Sequence, residues 1–232
     1  MIKKVLILGG SSDIGIELAN IFINKNHYKI SIHYNSNKRI KKNLGSNCTY
    51  IKCDFSDSNF NKVLNKFDKN YDIIINLIGD IKSKSFENFN LKSVEKIIRT
   101  NSILPLLIIR KSLNNMSKKK WGRIVNTSSV GVKFGGGLKT FEYSLSKHIN
   151  EFIPSHIKKI ASKNVFYNVV KIGLTNTKIH KKISNKNLIS REKLLPTKKM
   201  ASPHDIASYI YYICSNHNKF ITNEVINITG GE

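Results

Sequence analysis

Short apolar runs alternate with longer amphipathic stretches along this chain. The runs Lys4–Leu8, Lys29–His33, Thr49–Cys53, Asp72–Leu77, Gly122–Thr127, Phe166–Lys171 and Glu224–Ile228 are mostly rich in Ile and Val and read as buried strands. Between them, segments of helical period predict helices over about 13–25, 57–68, 91–117, 141–162 and 203–216. The last has a clear start, with Ser202 as N-cap, Pro203 in the first helical position and Asp205 in the first turn. Strands alternating with helices in this way make a parallel sheet covered on both faces. The expected architecture is a doubly wound α/β fold, three layers around a seven-stranded sheet, in one domain over 1–232. Segment 178–200 has no strong period and is expected to form an excursion that acts as a lid.

Composition narrows the class. Of the 232 residues, 40% are hydrophobic and 23% charged, which excludes global disorder. The longest apolar stretches fall far short of the ~20 residues that span a bilayer, so no membrane partner is expected. The start, Met1 to Gly10, resembles a signal peptide only superficially: its apolar run is four residues long before the glycines, and it reads as a strand. Cys48, Cys53 and Cys214 cannot all pair and match no zinc spacing. They read as reduced thiols of a cytoplasmic protein with no metal site.

A net charge of +24 is the footprint of a nucleic-acid binder. The skew behind it is compositional: 34 Lys against 5 Arg, 28 Asn and only 4 Ala, as AT-rich codons would give. A phosphate reader is expected to use Arg for bidentate contacts. One stretch exceeds this background. Segment 178–200 carries Lys178, Lys181, Lys182, Lys186, Arg191, Lys193, Lys198 and Lys199 against one acid, Glu192.

The first strand runs into Leu8-Gly9-Gly10-Ser11-Ser12-Asp13-Ile14-Gly15 and then a helix. Backbone N–H groups and the positive end of that helix suit a phosphate, and the glycines allow close approach. The second strand ends His33-Tyr34-Asn35-Ser36-Asn37-Lys38-Arg39, with no carboxylate to bond ribose hydroxyls and two cations that would welcome a 2′-phosphate. NADP(H) is therefore favoured over NAD(H). A polar surface turn without a ligand is the plainer alternative.

Tyr143 and Lys147, four apart in a predicted helix, put a phenol and an ammonium on one face. A neighbouring cation favours the phenolate. Chance alone places about one such pair in this composition, and the chain holds two more, Tyr34/Lys38 and Tyr167/Lys171. Those lie at a strand end or within a strand, where a period of two separates them. Ser129, at the end of the fifth strand, lies where open α/β sheets bind ligands. It sits in no G-x-S-x-G elbow, and His148 lies on another helical face, which disfavours a Ser–His–Asp hydrolase.

Over nearly its whole length the sequence resembles the single-domain short-chain dehydrogenases/reductases, and within them the 3-oxoacyl reductases. Gly9 to Gly15 resembles the T-G-x-x-x-G-x-G turn, with Leu8 at the threonine and Asp13 at the middle glycine. Asp54 and Phe55 are similar to the adenine-contacting segment, and Asn76 and Gly79 to parts of N-N-A-G. Asn101, Ser129, Tyr143 and Lys147 match the catalytic tetrad, and Ile172 to Thr177 the P-G-x-x-x-T segment beside the nicotinamide.

The resemblance implies a Rossmann-type fold and a nicotinamide oxidoreductase interconverting ketone and secondary alcohol. Tyr143 would be the general acid, Ser129 would hold the carbonyl oxygen, and Lys147 would lower the tyrosine pKa and bond the ribose. Asn101 would hold a water leading to Lys147. Cofactor contacts implied are Gly9, Ser11, Ser12, Asp13, Ile14, Asn35, Ser36, Asp54, Phe55, Asn76, Gly79, Tyr143, Lys147, Ile172, Thr175 and Thr177. Dimers or tetramers built on the helices at 91–117 and 141–162 are also implied. Bulky Leu77 and Ile78, and Ile172 in place of proline, predict altered packing around the cofactor without loss of catalysis. The basic lid points to an anionic or carrier-linked carbonyl substrate, such as a 3-oxoacyl thioester or a nucleotide-linked sugar. The alternative is a catalytically silent NADP-binding regulator, or a basic nucleic-acid binder on the same fold, although no specific nucleic acid is expected.

Overall fold

Alternate residues of the central strands supply two separate apolar layers, as a pleated strand requires. Val5, Ile7, Ile73 and Ile75 face one side, and Leu6, Leu8 and Ile74 the other, all fully buried. The computed structural model describes residues 2–37, 40, 44–183 and 187–232. Its strands are β1 (Lys3–Leu8), β2 (Tyr28–Tyr34), β3 (Cys48–Lys52), β4 (Ile73–Asn76), β5 (Gly122–Ser129), β6 (Val165–Ile172) and β7 (Val225–Ile228). All pair in parallel in the order β3-β2-β1-β4-β5-β6-β7. The seven predicted strands are thus present, in a Rossmann-type sheet whose order reverses between β1 and β4. The registers Leu8↔Asn76 and Ser129↔Ile172 bring the strand ends that carry the candidate chemistry to one edge.

Helix α1 (Asp13–Ile23) covers one face with Leu18, Ala19 and Phe22, beside the helix Pro203–Cys214 with Ile206, Ala207 and Ile210. The other face is covered chiefly by the helix Leu104–Lys118, through Ile108, Ile109, Leu113 and Met116. Among the described residues no helix is long and apolar enough to cross a membrane.

Three predicted helices take a different form. The span 57–68 shortens to α2 (Phe60–Leu64), capped by the Asn59 side chain. The span 91–117 divides into α3 (Leu91–Ile98), a π-helical turn Arg99–Ile103, and α4 (Leu104–Lys118). Pro105 explains the division, since it has no N–H to return to the carbonyl of Asn101. The span 141–162 breaks after α5 (Phe141–Ile149) and resumes as α6 (Ser155–Lys159) behind Pro154, which disfavours a helical residue before it. The excursion 178–200 holds a 3₁₀ turn, Lys178–Lys182, and α7 (Leu188–Leu194); Lys186 lies outside the described residues.

The predicted start of α8 (Pro203–Cys214) is a reciprocal cap: Asp205 N–H donates to Ser202 Oγ at 3.1 Å and Ser202 N–H to Asp205 Oδ2 at 2.8 Å. Ser202→Ala is expected to lower unfolding free energy by about 1 kcal/mol in a urea titration, while Ser202→Thr retains most of it.

Candidate active site

A cleft of roughly 1280 Å³ opens at the C-terminal ends of β1, β4 and β5, where the strand order reverses. Of the residues that the resemblance implies as catalytic or cofactor-binding, all line it except Asn76 and Asn101, which are fully buried. Lys38 and Arg39, on which the 2′-phosphate expectation leans, lie outside the described residues.

The glycine turn is folded tightly against its surroundings. Gly9 has φ +72°, and a Cβ there would come within 3.0 Å of Ile78 N; one on Gly15 would meet the Gly10 backbone at 2.6 Å. Ser12 caps α1, its Oγ accepting from Gly15 N–H at 3.1 Å. The result is a helix N-terminus behind a close-packed backbone cradle, with Ser11, Ser12 and Ile14 on the cleft wall. That donor set fits a dinucleotide pyrophosphate.

The turn is braced by a residue the sequence reading left aside. His33, buried near the end of β2, accepts from Gly9 N–H at Nδ1 (3.1 Å), so its proton sits on Nε2 and is donated to the Cys53 carbonyl at 3.0 Å. The ring stacks on Phe55 at 4.3 Å, and the His33 carbonyl accepts from Gly10 N–H. Burial pushes its pKa down to about 4, so it stays neutral. In the sequence His33 alternates with Ile30 and Ile32 just as Lys29 and Ser31 do, so the pattern of β2 does not mark it.

Asn35 and Ser36 form the rim beyond β2, with Asn37 Nδ2 donating to the Ser11 carbonyl at 3.2 Å. Asp54 and Phe55 follow β3, where Asp54 Oδ1 accepts from Ser56 N–H at 2.8 Å. Asp13, at the first position of α1, accepts from Lys178 N–H at 2.8 Å and lies 3.4 Å from the Lys178 ammonium. Its charge is therefore met from the excursion. Ile172, Thr175 and Thr177 line the opposite wall.

Tyr143 and Lys147 both project from α5. The tyrosine ring lies over Gly79, with Ser129 near enough to its phenol to pull its pKa down; Ser129 Oγ also accepts from Gly131 N–H at 3.2 Å. The Lys147 ammonium is buried, 5.8 Å from the ring centroid, and donates to Ile78 O (2.8 Å), Thr127 O (3.1 Å) and Thr127 Oγ1 (3.2 Å). Burial raises the tyrosine pKa to about 12 against the opposing pull of Ser129. It pushes Lys147 down to about 7. Desolvation thus dominates both groups, and the phenol is held as an acid.

Asn101 reaches Lys147 only through intermediaries. Its side chain clamps the Asp80 backbone, accepting from N–H at 2.8 Å and donating to O at 2.9 Å, and it donates to Ser146 Oγ. Its carbonyl accepts from the side-chain amides of Asn76 and Asn150, each at 3.3 Å. Asn150 also donates to Thr127 O at 3.1 Å, the oxygen that receives Lys147. Asn76 is fixed further by donating to Asn126 Oδ1 at 2.8 Å. Asn126, Thr127 and Asn150 escaped the sequence reading; Asn126-Thr127 interrupts the apolar run of β5.

Part of the basic excursion is paired. Beyond Lys178, Lys182 lies 3.8 Å from Asp80, and Arg191 bonds Glu232. Lys178, Lys182 and Arg191 line the cleft together with Lys96 and Lys139.

The family model for short chain dehydrogenases matches residues 3–188. The chain is 32% identical over 173 residues to a 3-oxoacyl-(acyl-carrier-protein) reductase of Aquifex aeolicus, covering 74% of this chain and 69% of that one. It is 27% identical over 237 residues to the reductase of the same name from Buchnera aphidicola subsp. Baizongia pistaciae, covering 99% and 96%. Among solved structures, ElxO with NADP bound is 28% identical with a TM-score of 0.81, covering 100% of this chain and 98% of that one.

The neutral His33 couples this site to acid stability. Its native pKa lies below the 6.5 of a free imidazole, so the unfolded chain binds the extra proton first as pH falls. Its contribution is complete above pH 6.5 and is lost toward about 4. Urea-unfolding free energies from pH 7 to 4 should fall more steeply for the wild type than for His33→Asn, by up to about 1.4 kcal/mol per pH unit. Parallel slopes would dismiss the buried neutral imidazole.

Proposed function

The chain belongs to the short-chain dehydrogenase/reductase family, oxidoreductases that act on CH–OH and C=O groups with a nicotinamide cofactor, and we propose that it works as an NADPH-dependent ketoreductase with Tyr143 as general acid. The observation that carries this reading is the pairing of Tyr143 with Ser129 above the buried Lys147, in a cleft whose other end is the glycine turn. The nicotinamide, when bound, supplies the hydride.

Ser129 and the Tyr143 phenol converge on one point from β5 and α5, and a carbonyl oxygen seated there would accept from both. As negative charge develops on that oxygen, Tyr143 gives up its proton. Its raised pKa keeps the proton in place until then. Lys147 would support the phenolate so formed from below, and Asn150 would orient the Thr127 carbonyl that holds the ammonium. Gly9, Ser11, Ser12 and Ile14 would hold the pyrophosphate, Asp54 and Phe55 the adenine, Asn35 and Ser36 the adenosine ribose, and Ile172, Thr175 and Thr177 the nicotinamide. Asn76 and Asn101 would act through the backbone they fix. The chain's relatives and the rim of Lys96, Lys139, Lys182 and Arg191 support an anionic or carrier-linked ketone, with segment 178–200 as lid. Self-association into dimers or tetramers belongs to the same reading, supported by exposed Phe86, Phe89 and Leu91 around the start of α3.

Titration with NADPH and NADH, followed by nicotinamide fluorescence, should give tight binding of the first and weaker binding of the second. Tyr143→Phe should lower turnover of a 3-oxoacyl thioester by about 10²-fold or more with NADPH affinity unchanged; retained turnover removes the assignment. For the wild type, kcat/KM for reduction should decline above about pH 7 as the Lys147 ammonium is lost. A profile flat to pH 9 would show that this charge plays no part.

A further inference from the structure

The one carboxylate in the glycine turn, at the position where a pyrophosphate would be bound, calls for a counter-ion. Asp13 opens α1, and its side chain is 23% exposed on the cleft wall. An anion approaching this helix end meets a positive dipole and a full negative charge together. The charge is met from across the cleft: Oδ2 accepts from Lys178 N–H at 2.8 Å, and Oδ1 lies 3.4 Å from the Lys178 ammonium, 165 residues away in sequence.

Lys178 is placed by a seated structure. It heads the 3₁₀ turn Lys178–Lys182, whose Ile179 reaches Gly79 (Cδ1 lies 3.5 Å from where a Cβ on that glycine would be). At its far end Lys182 Nζ stands 3.8 Å from Asp80 Oδ1, beyond β4. The turn therefore carries an ion pair at each end, one to Asp13 at the start of α1 and one to Asp80 beyond β4.

We propose that Lys178 is a positioning residue for the cofactor: its ammonium neutralises Asp13 so that the N-terminus of α1 can accept a dinucleotide pyrophosphate, and seating of the 178–182 turn thereby raises nucleotide affinity. This rests on the nicotinamide-binding reading above. When the turn is seated, the dipole acts on the phosphates with Asp13 compensated. When Lys178 withdraws, the bare carboxylate repels them. The Lys178 side chain is 81% exposed and that of Asp13 23%, so the effect is no more than a few-fold and is screened by salt.

The sign of the effects separates this role from a mere latch. Dissociation constants for NADPH and for NADH are measured by fluorescence on the full chain at about 20 mM and about 500 mM salt, with thermal melting of each free variant as a fold control. Lys178→Met should weaken both nucleotides about three- to fivefold at low salt. Asp13→Asn, which keeps an acceptor for the Lys178 N–H, should tighten both by a similar factor. The double variant should return close to wild type, and all differences should shrink at high salt. If Asp13 only latched the turn, Asp13→Asn would weaken binding, and that result overturns the proposal. So does an unchanged affinity in Lys178→Met, or an effect confined to NADPH, which would place Lys178 at the 2′-phosphate. Failure of the wild type to bind either nucleotide would remove the cofactor reading itself, a result distinct from all of these.

Discussion

A lysine ammonium buried at the floor of a cleft must be surrounded by oxygen, and much of this structure follows from that demand. An unpaired buried charge costs several kcal/mol. Lys147 meets the requirement with Ile78 O from beyond β4 and two oxygens of Thr127 on β5. Those strand ends must therefore stay in register beneath α5. They are held by a second tier of amides: Asn76 to Asn126, Asn150 to Thr127 O, and both Asn76 and Asn150 to the carbonyl of Asn101. That carbonyl is available because Pro105 cannot donate to it and the helix widens into a π turn. A single buried imino acid, in the helix that follows the π turn beside α5, thus helps fix the ammonium.

The same logic governs the other end of the cleft with neutral groups. Gly9 and Gly15 have no room for a Cβ, so the turn can close, and His33 then satisfies the Gly9 N–H while tying β2 to the Cys53 carbonyl. A neutral imidazole is suited to this place because it offers an acceptor and a donor on opposite sides of one rigid ring. Stacking on Phe55 links this brace to the segment after β3. The brace thus joins the glycine turn to the ends of three strands.

Charge divides into two scales. The overall excess of lysine is spread along the chain and reads as composition. The excess in the excursion has local partners: Asp13, Asp80 and Glu232 each receive one of its cations. Sequence counting gave the excursion one acid, because its partners come from distant parts of the chain. The local field at the cleft is correspondingly more balanced than the count suggests, because the excursion cations that line it, Lys178, Lys182 and Arg191, are the paired ones.

The order of strands and helices, the glycine turn and the Tyr143/Lys147 pair were legible in the sequence, because each is written in local periodicity or close spacing. Its place at a strand end marked Ser129, and the family resemblance added Asn101 and the order of the motifs. The breaks at Pro105 and Pro154 were also written in the chain, yet a strong helical period masked them. Tertiary structure alone decided the rest. It placed Asn150 between Asn101 and Lys147, turned Asp13 toward Lys178, and gave His33 its tautomer. It also decided that burial, more than the neighbouring cation, sets the state of the tyrosine. The reason is physical: periodicity reports which face of an element is apolar, whereas hydrogen-bond partners and desolvation depend on which atoms distant segments bring within about 3 Å of one another.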